Sequence, residues 1–261
     1  MKLSDTQIAK IKRIAKIVWI PLLVIAVLYW WLGPTTWKEE VLLHDGSKII
    51  VERSTSRGGR HEIGQQPPFE EQSLRFIMPG TGQAIKWTDS YSDDIRTASF
   101  LPMLLDVVDG AAYLVVTPMG CLSYNKWGRP NPPYVVFKYE AKEWKRIPLQ
   151  ELPAAIKTPN MISSMPDIEA KRIGGNPVSA EAISKLVSQY RSSEYRTILR
   201  EPNDSDTPQS CIYMTKDPRG GWRQIGTSIS KPSYEECEQY CKSFQIAPAY
   251  CPCNGIYKKG N

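Results

Sequence analysis

Between residues 36 and 156 short apolar runs alternate with polar breaks, and the breaks carry turn-forming residues. WKEEVLLHDGSKIIVERS (37–54) sets two strand-like runs around Asp45-Gly46, a dipeptide that accommodates the positive φ of a tight hairpin. The pattern returns in SLRFIMPGTGQAIKW (73–87) around Pro79-Gly80-Thr81-Gly82, and in MLLDVVDGAAYLVV (103–116) at Asp109-Gly110. A fourth pair, YVVFKYEAKEWKRIPL (134–149), turns near Ala141-Lys142, with Trp144 expected to face Phe137 or Tyr139. Four hairpins in succession predict a mainly β domain over 36–156. Such an antiparallel β-meander closes as a sandwich, an open barrel or a curved sheet.

Beyond Pro153 the periodicity changes. Residues 157–178 lack a sustained period and are rich in helix and strand breakers, which marks a connector. SAEAISKLVSQYRSSEYRTIL then places Ile183, Leu186, Val187 and Tyr190 on one face, predicting an amphipathic helix over 179–200 entered at Ser179. A polar linker (201–209) leads into a short cysteine-rich tail (210–261).

At the other end, IVWIPLLVIAVLYWWL (17–32) runs for 16 residues without a charge. A helix of that length spans about 24 Å, and Lys16 on one side with Tyr29, Trp30 and Trp31 on the other extends it toward both interfaces. The exit YWWLGPTTW lacks the small residues of a cleavage site, so the segment reads as an uncleaved signal-anchor over 17–33. Of the net charge of +6, +4 falls within residues 1–33. The basicity is therefore that of a membrane-flanking arm and not of a nucleic-acid surface. These features predict a bacterial inner-membrane protein crossing the lipid bilayer once, with residues 1–16 cytoplasmic and the β-rich domain periplasmic. In architecture the chain resembles the small inner-membrane proteins with one anchor and one periplasmic domain.

Four of the six cysteines lie between 237 and 253. Ser233 and Glu236 have capping-box spacing, and Cys237 and Cys241 then share one helix face at i, i+4. An oxidising compartment predicts disulfides, each of these two cysteines joined to Cys251 or Cys253, with Cys121 and Cys211 as a third pair. The rival is a four-cysteine zinc site, C-x3-C-x9-C-x-C, whose single-residue spacing in CPC is atypical. No cofactor or metal is expected.

The densest potential chemistry lies in RSTSRGGRHEIGQQPP (53–68), read as a loop after the second strand. Gly58-Gly59 would let Arg57, Arg60 and His61 present donors to a phosphate or carboxylate. The plainer alternative is a solvated loop whose arginines pair with Glu52, Glu62, Glu70 or Glu71. TDSYSDD (88–94) collects three aspartates but lacks the glycine and distal glutamate of a calcium loop. NKWGRPNPPY (125–134) offers Trp127 for stacking on a sugar or partner peptide, or as the pin of a structural loop. No phosphate-binding loop, serine elbow or zinc-histidine motif occurs, and no catalytic residue is assigned. The expected function is non-enzymatic: an envelope protein binding another envelope component. The alternatives are an enzyme acting on an anionic or sugar substrate at the Arg57–His61 loop and a periplasmic toxin-neutralising protein. A cleft uniting His61 with the 88–94 carboxylates would favour the enzyme.

Overall fold

Eight strands form two four-stranded antiparallel sheets, each with its strands in meander order. The computed structural model describes residues 19–20, 33–202, 211–212, 214–216, 221–224, 233–246, 248, 251 and 253. Nearly all of the expected anchor at 17–33 lies outside the described residues. Among those described, no helix is long and apolar enough to cross a membrane. The first sheet has the order β1 (Thr35–Leu42), β2 (Lys48–Arg57), β3 (Phe69–Ile77), β4 (Ala84–Ser90). The second has the order β5 (Phe100–Val108), β6 (Ala111–Pro118), β7 (Val135–Glu140), β8 (Glu143–Ile147).

Each tight turn follows from local chemistry. Gly46 sits at φ +86°, and Asp45 Oδ1 accepts the backbone N–H and the hydroxyl of Ser47, closing the first hairpin. Asp109 and Gly110 both have positive φ, as do Ala141 and Lys142, which suits the right-handed twist of the flanking strands. The last hairpin's register sets Tyr139 opposite Trp144, with ring centroids 5.3 Å apart.

Period-two burial aims one face of the first sheet inward. Leu74, Phe76, Ile85 and Trp87 meet Phe100, Leu105, Leu114 and Val116 of the second sheet in one core. Each such side chain, once buried, contributes about 1.5–3 kcal/mol. The second sheet is covered on its other face too, where Met103, Tyr113, Val115 and Val136 pack under Leu152, Ile156 and Ile198. That is why β6 reads as an unbroken apolar run and not an alternating one. Arg200 secures the cover by donating to the carbonyls of Leu152, Pro153 and Ile156 at 2.7, 2.9 and 2.7 Å.

Two short 3-10 turns (Leu149–Glu151 and Ser193–Tyr195), a two-stranded antiparallel sheet (Met214–Lys216 with Trp222–Gln224) and four α-helices complete the described structure: α1 (Gly120–Lys126), α2 (Pro166–Ile173), α3 (Ala180–Ser188) and α4 (Tyr234–Ser243). Two of the helices differ from the sequence expectation. The 157–178 connector contains α2, which starts on Pro166 and carries Asp167 and Glu169 in its first turn. The amphipathic helix expected over 179–200 spans only Ala180–Ser188. Ser179 caps its start, accepting from Ala182 N at 3.3 Å, and Ile183, Leu186 and Val187 form its buried face. The chain then leaves the helix to lay Ile198 over the second sheet, where Ile198 N donates to Lys157 O at 2.7 Å. Burial of that segment outweighs helical propensity.

The connector is laced to both sheets. Val178 pairs with the β1 edge through Glu40 N to Val178 O and Val178 N to Lys38 O, each 2.8 Å. Asn160 donates to Leu42 O and Leu105 O at 2.9 and 2.8 Å, joining β1 to β5. Glu39 and Arg53 lie in this seam, 0% and 3% exposed. Arg53 donates to Glu39 Oε1 and Ile162 O, and Glu39 also accepts from Trp37 Nε1 at 2.7 Å. A charged pair is tolerated in the seam because these partners replace the lost water.

Candidate functional site

The first hairpin turn carries His44 to the edge strand β5 of the other sheet. The turn's internal bonds run from Leu43 N to Ser47 O and from Gly46 N to Leu43 O, which leaves the His44 backbone N–H to point outward. Asp106 takes it. Its Oδ2 accepts His44 N at 3.0 Å, and its Oδ1 lies 2.8 Å from His44 Nδ1. Asp106 is 3% exposed and also accepts the N–H of Val107, so its orientation is set by three hydrogen bonds.

A carboxylate only accepts, so Nδ1 carries the proton and Nε2 is the remaining ring acceptor. The hydrogen bond that His44 donates to Asp106 raises the His44 pKa above its ordinary value against the opposing effect of burial, and the charges of Asp106, Asp45 and Asp109 add to it. The pair borders a cavity of about 420 Å³ between the hairpin, the 155–160 segment and α3, to which Lys157, Thr158, Asn160 and Ser184 also contribute. A pocket of this size suits a small polar ligand.

An imidazole oriented by a buried carboxylate can transfer protons or, when protonated, donate to an anion. Nucleophilic catalysis needs a further partner. Among the described residues no hydroxyl is hydrogen-bonded to the His44 ring, and all six cysteines are in disulfides.

The residues singled out by sequence are placed elsewhere. β2 runs to Arg57, so the loop begins only at Gly58, and Gly59 uses a φ of +85°. Arg57 forks onto Asp167 of α2 at 2.7 and 2.8 Å, donates to Pro67 O at 3.0 Å, and stacks 3.9 Å from the Phe69 ring centroid. Its partner is not one of the neighbouring glutamates, and its donors are directed into the fold. Asp167 feels burial, which pushes its carboxyl up, but the Arg57 hydrogen bonds and charge hold it below its ordinary value. Arg60 and His61 are exposed, with His61 Nδ1 3.1 Å from Gly59 O.

The 88–94 aspartates do not converge on His61 or on one another. Asp89 is buried and accepts from Phe100 N at 2.8 Å and Gln72 Nε2 at 3.0 Å. Asp94 pairs with Lys126 at 2.9 Å and Lys216 at 2.6 Å. Desolvation works against its charge, but the hydrogen bonds from Lys216, Ser92 and Lys126 hold its carboxyl far below the ordinary range. Trp127 is half-buried, 4.5 Å from Phe100 by ring centroid, and packs against the core as a structural pin.

In the sequence His44 is only a residue beside the Asp45-Gly46 turn, and nothing local pairs it with Asp106. The one available signal was an aspartate inside the apolar run MLLDVV, since a lone carboxylate in a buried strand needs a partner. All six cysteines are joined, as Cys121–Cys211, Cys237–Cys253 and Cys241–Cys251. No family model, curated protein or solved structure matches this chain.

Proposed function

We propose that this is a membrane-anchored protein of the bacterial envelope whose outer β domain binds an anionic group of another envelope component in the His44 cavity. The observation that carries the reading is the His44–Asp106 pair at a cavity shared with Lys157. Protonated His44 and Lys157 supply positive charge, and Thr158 and Ser184 supply hydroxyl donors around it. The three disulfides support an oxidising compartment for the domain. That agrees with an anchor at 17–33 and a cytoplasmic N-terminus.

The test follows the His44 ring resonances of the full chain in detergent micelles during titration with inorganic phosphate. A saturable shift, lost in Lys157→Gln, is expected. A response that never saturates, or that is equal in the variant, removes the cavity as an anion site. Protease protection in spheroplasts tests the topology: digestion of the β domain from outside is expected, and full protection sinks it.

A second reading takes the same cavity as an enzyme site with His44 as acid–base. Its support is the buried orienting carboxylate of Asp106.

A further inference from the structure

The cysteine-rich tail draws the sulfurs of Cys237, Cys241 and Cys253 together, with Cys251 beside Cys241 and Cys253. Ser233 caps α4 with Glu236 in a reciprocal capping box, and the helix then presents Cys237 and Cys241 one turn apart. The returning chain brings Cys251 and Cys253 onto that face, where Tyr234 and Ile246 pack around the cluster. The two bridges, Cys237–Cys253 and Cys241–Cys251, touch one another. Cys253 Sγ lies 3.1 Å from Cys251 Sγ and 3.7 Å from Cys241 Sγ, outside the bridges themselves. The sulfurs of Cys237, Cys241 and Cys253 all fall within 4.8 Å of one another, and these three residues are 1%, 4% and 1% exposed.

Two separate disulfides need no such contact. A single tetrahedral metal ion needs its sulfurs gathered on one centre, at a wider spacing than the 3.1 Å between Cys251 and Cys253. Zinc–thiolate bonds of about 2.3 Å put neighbouring sulfurs about 3.8 Å apart, close to the 3.7 Å seen between Cys241 and Cys253. The donor set is all sulfur and mostly buried, and two of its members, Cys237 and Cys241, share one face of a helix. The one-residue spacing of CPC made a zinc site look improbable in sequence. In the fold, however, both of its sulfurs reach the helix face.

We propose that Cys237, Cys241, Cys251 and Cys253 form a redox-gated metal site, binding one zinc ion as a tetrathiolate when both bridges are reduced. A dithiol reductant opens each bridge: two electrons and two protons pass to the protein sulfurs, and the reductant becomes a disulfide. Two such steps give four thiols. Zinc then replaces the four thiol protons, which pass to solvent, and the ion holds the tail where the two crosslinks held it before. Oxidised and metal-bound forms exclude each other because the same four sulfurs serve both. The bridge Cys121–Cys211 takes no part; it ties the tail to α1.

The test uses the full chain in detergent, reduced anaerobically with a phosphine, given Zn²⁺ or Co²⁺, and desalted. One zinc per chain is expected in the reduced protein, and none above background in the oxidised protein. The Co²⁺-loaded wild type should show the intense sulfur charge-transfer and tetrahedral d–d bands of four thiolates, a readout that needs no variant. Cys253→Ser should weaken zinc binding by more than about tenfold, whereas Cys121→Ser with Cys211→Ser should leave it unchanged. Equal zinc in oxidised and reduced samples, no cobalt–thiolate bands, or dependence on Cys121 and Cys211 would each overturn the proposal.

Discussion

Arg57 holds Asp167 by two parallel hydrogen bonds, Nε to Oδ2 at 2.7 Å and Nη2 to Oδ1 at 2.8 Å, across 110 residues of sequence. The pair clamps α2 to the end of β2. Arg57→Ala is expected to destabilise the protein by about 2 kcal/mol, since a charged hydrogen-bonding group at a half-buried site loses its partner. Arg60→Ala, on the exposed loop, should stay within about 0.5 kcal/mol. Urea unfolding of both variants checks this, and equal effects would remove the clamp. The sign with pH follows from the Asp167 carboxyl lying below its ordinary value. The contribution is present above the unfolded carboxyl pKa and is lost as pH falls through the lower folded one.

Glu39 and Arg53 make a second ion pair, 2.9 Å apart and sealed from water. Glu39→Ala leaves Arg53 charged and buried, and should cost about 3–5 kcal/mol. Replacing both residues by methionine is expected to cost less than that single change. A double-mutant cycle in guanidinium checks it, and additive effects would show that the two side chains do not depend on each other.

His44 should give the fold a pH dependence near neutrality. Its pKa is raised in the folded state, first by the Asp106 hydrogen bond. The stabilising effect is therefore complete below the unfolded histidine value of about 6.5 and fades as pH rises through the higher folded value. Thermal midpoints recorded from about pH 5 upward should fall across that interval in the wild type. In His44→Gln the fall should be smaller. A variant with the same pH profile as wild type would show that the titration belongs to another group.

Digestion of the non-reduced, alkylated protein should yield one crosslinked pair for Cys121–Cys211 and one doubly crosslinked species for the tail, because Cys251 and Cys253 flank a single proline and stay on one peptide; its fragment ions should report Cys237–Cys253 and Cys241–Cys251. The first closes a loop with a sequence separation of 90. Its removal by Cys121→Ser with Cys211→Ser should cost about 2–5 kcal/mol, mainly by freeing the unfolded chain. Fragment ions linking Cys237 to Cys251 instead would reverse the pairing on α4.

Much of the local architecture was legible in the sequence because its causes lie within a few residues. Asp45-Gly46 and Asp109-Gly110 turn the chain because their own backbone angles allow it. Ser179 and Ser233 start helices because a hydroxyl meets an amide three positions on. Tyr139 meets Trp144 because the turn between them sets the register. Even the cysteine module was foreseeable to this extent, as two thiols one helical turn apart.

Other features depend on contacts that no local pattern encodes. The partition of eight strands into two facing sheets follows from which apolar faces bury one another, and so does the shortening of the 179–200 helix. Arg57 finds Asp167 across 110 residues, and His44 finds Asp106 across 62. Until the strands are placed, neither arginine nor histidine has a distinguishable partner, since every carboxylate within reach of a flexible chain is equivalent. Packing removes that equivalence. It places Asp106 on the edge strand facing the hairpin tip, excludes water from it, and so makes the histidine beside it the candidate site.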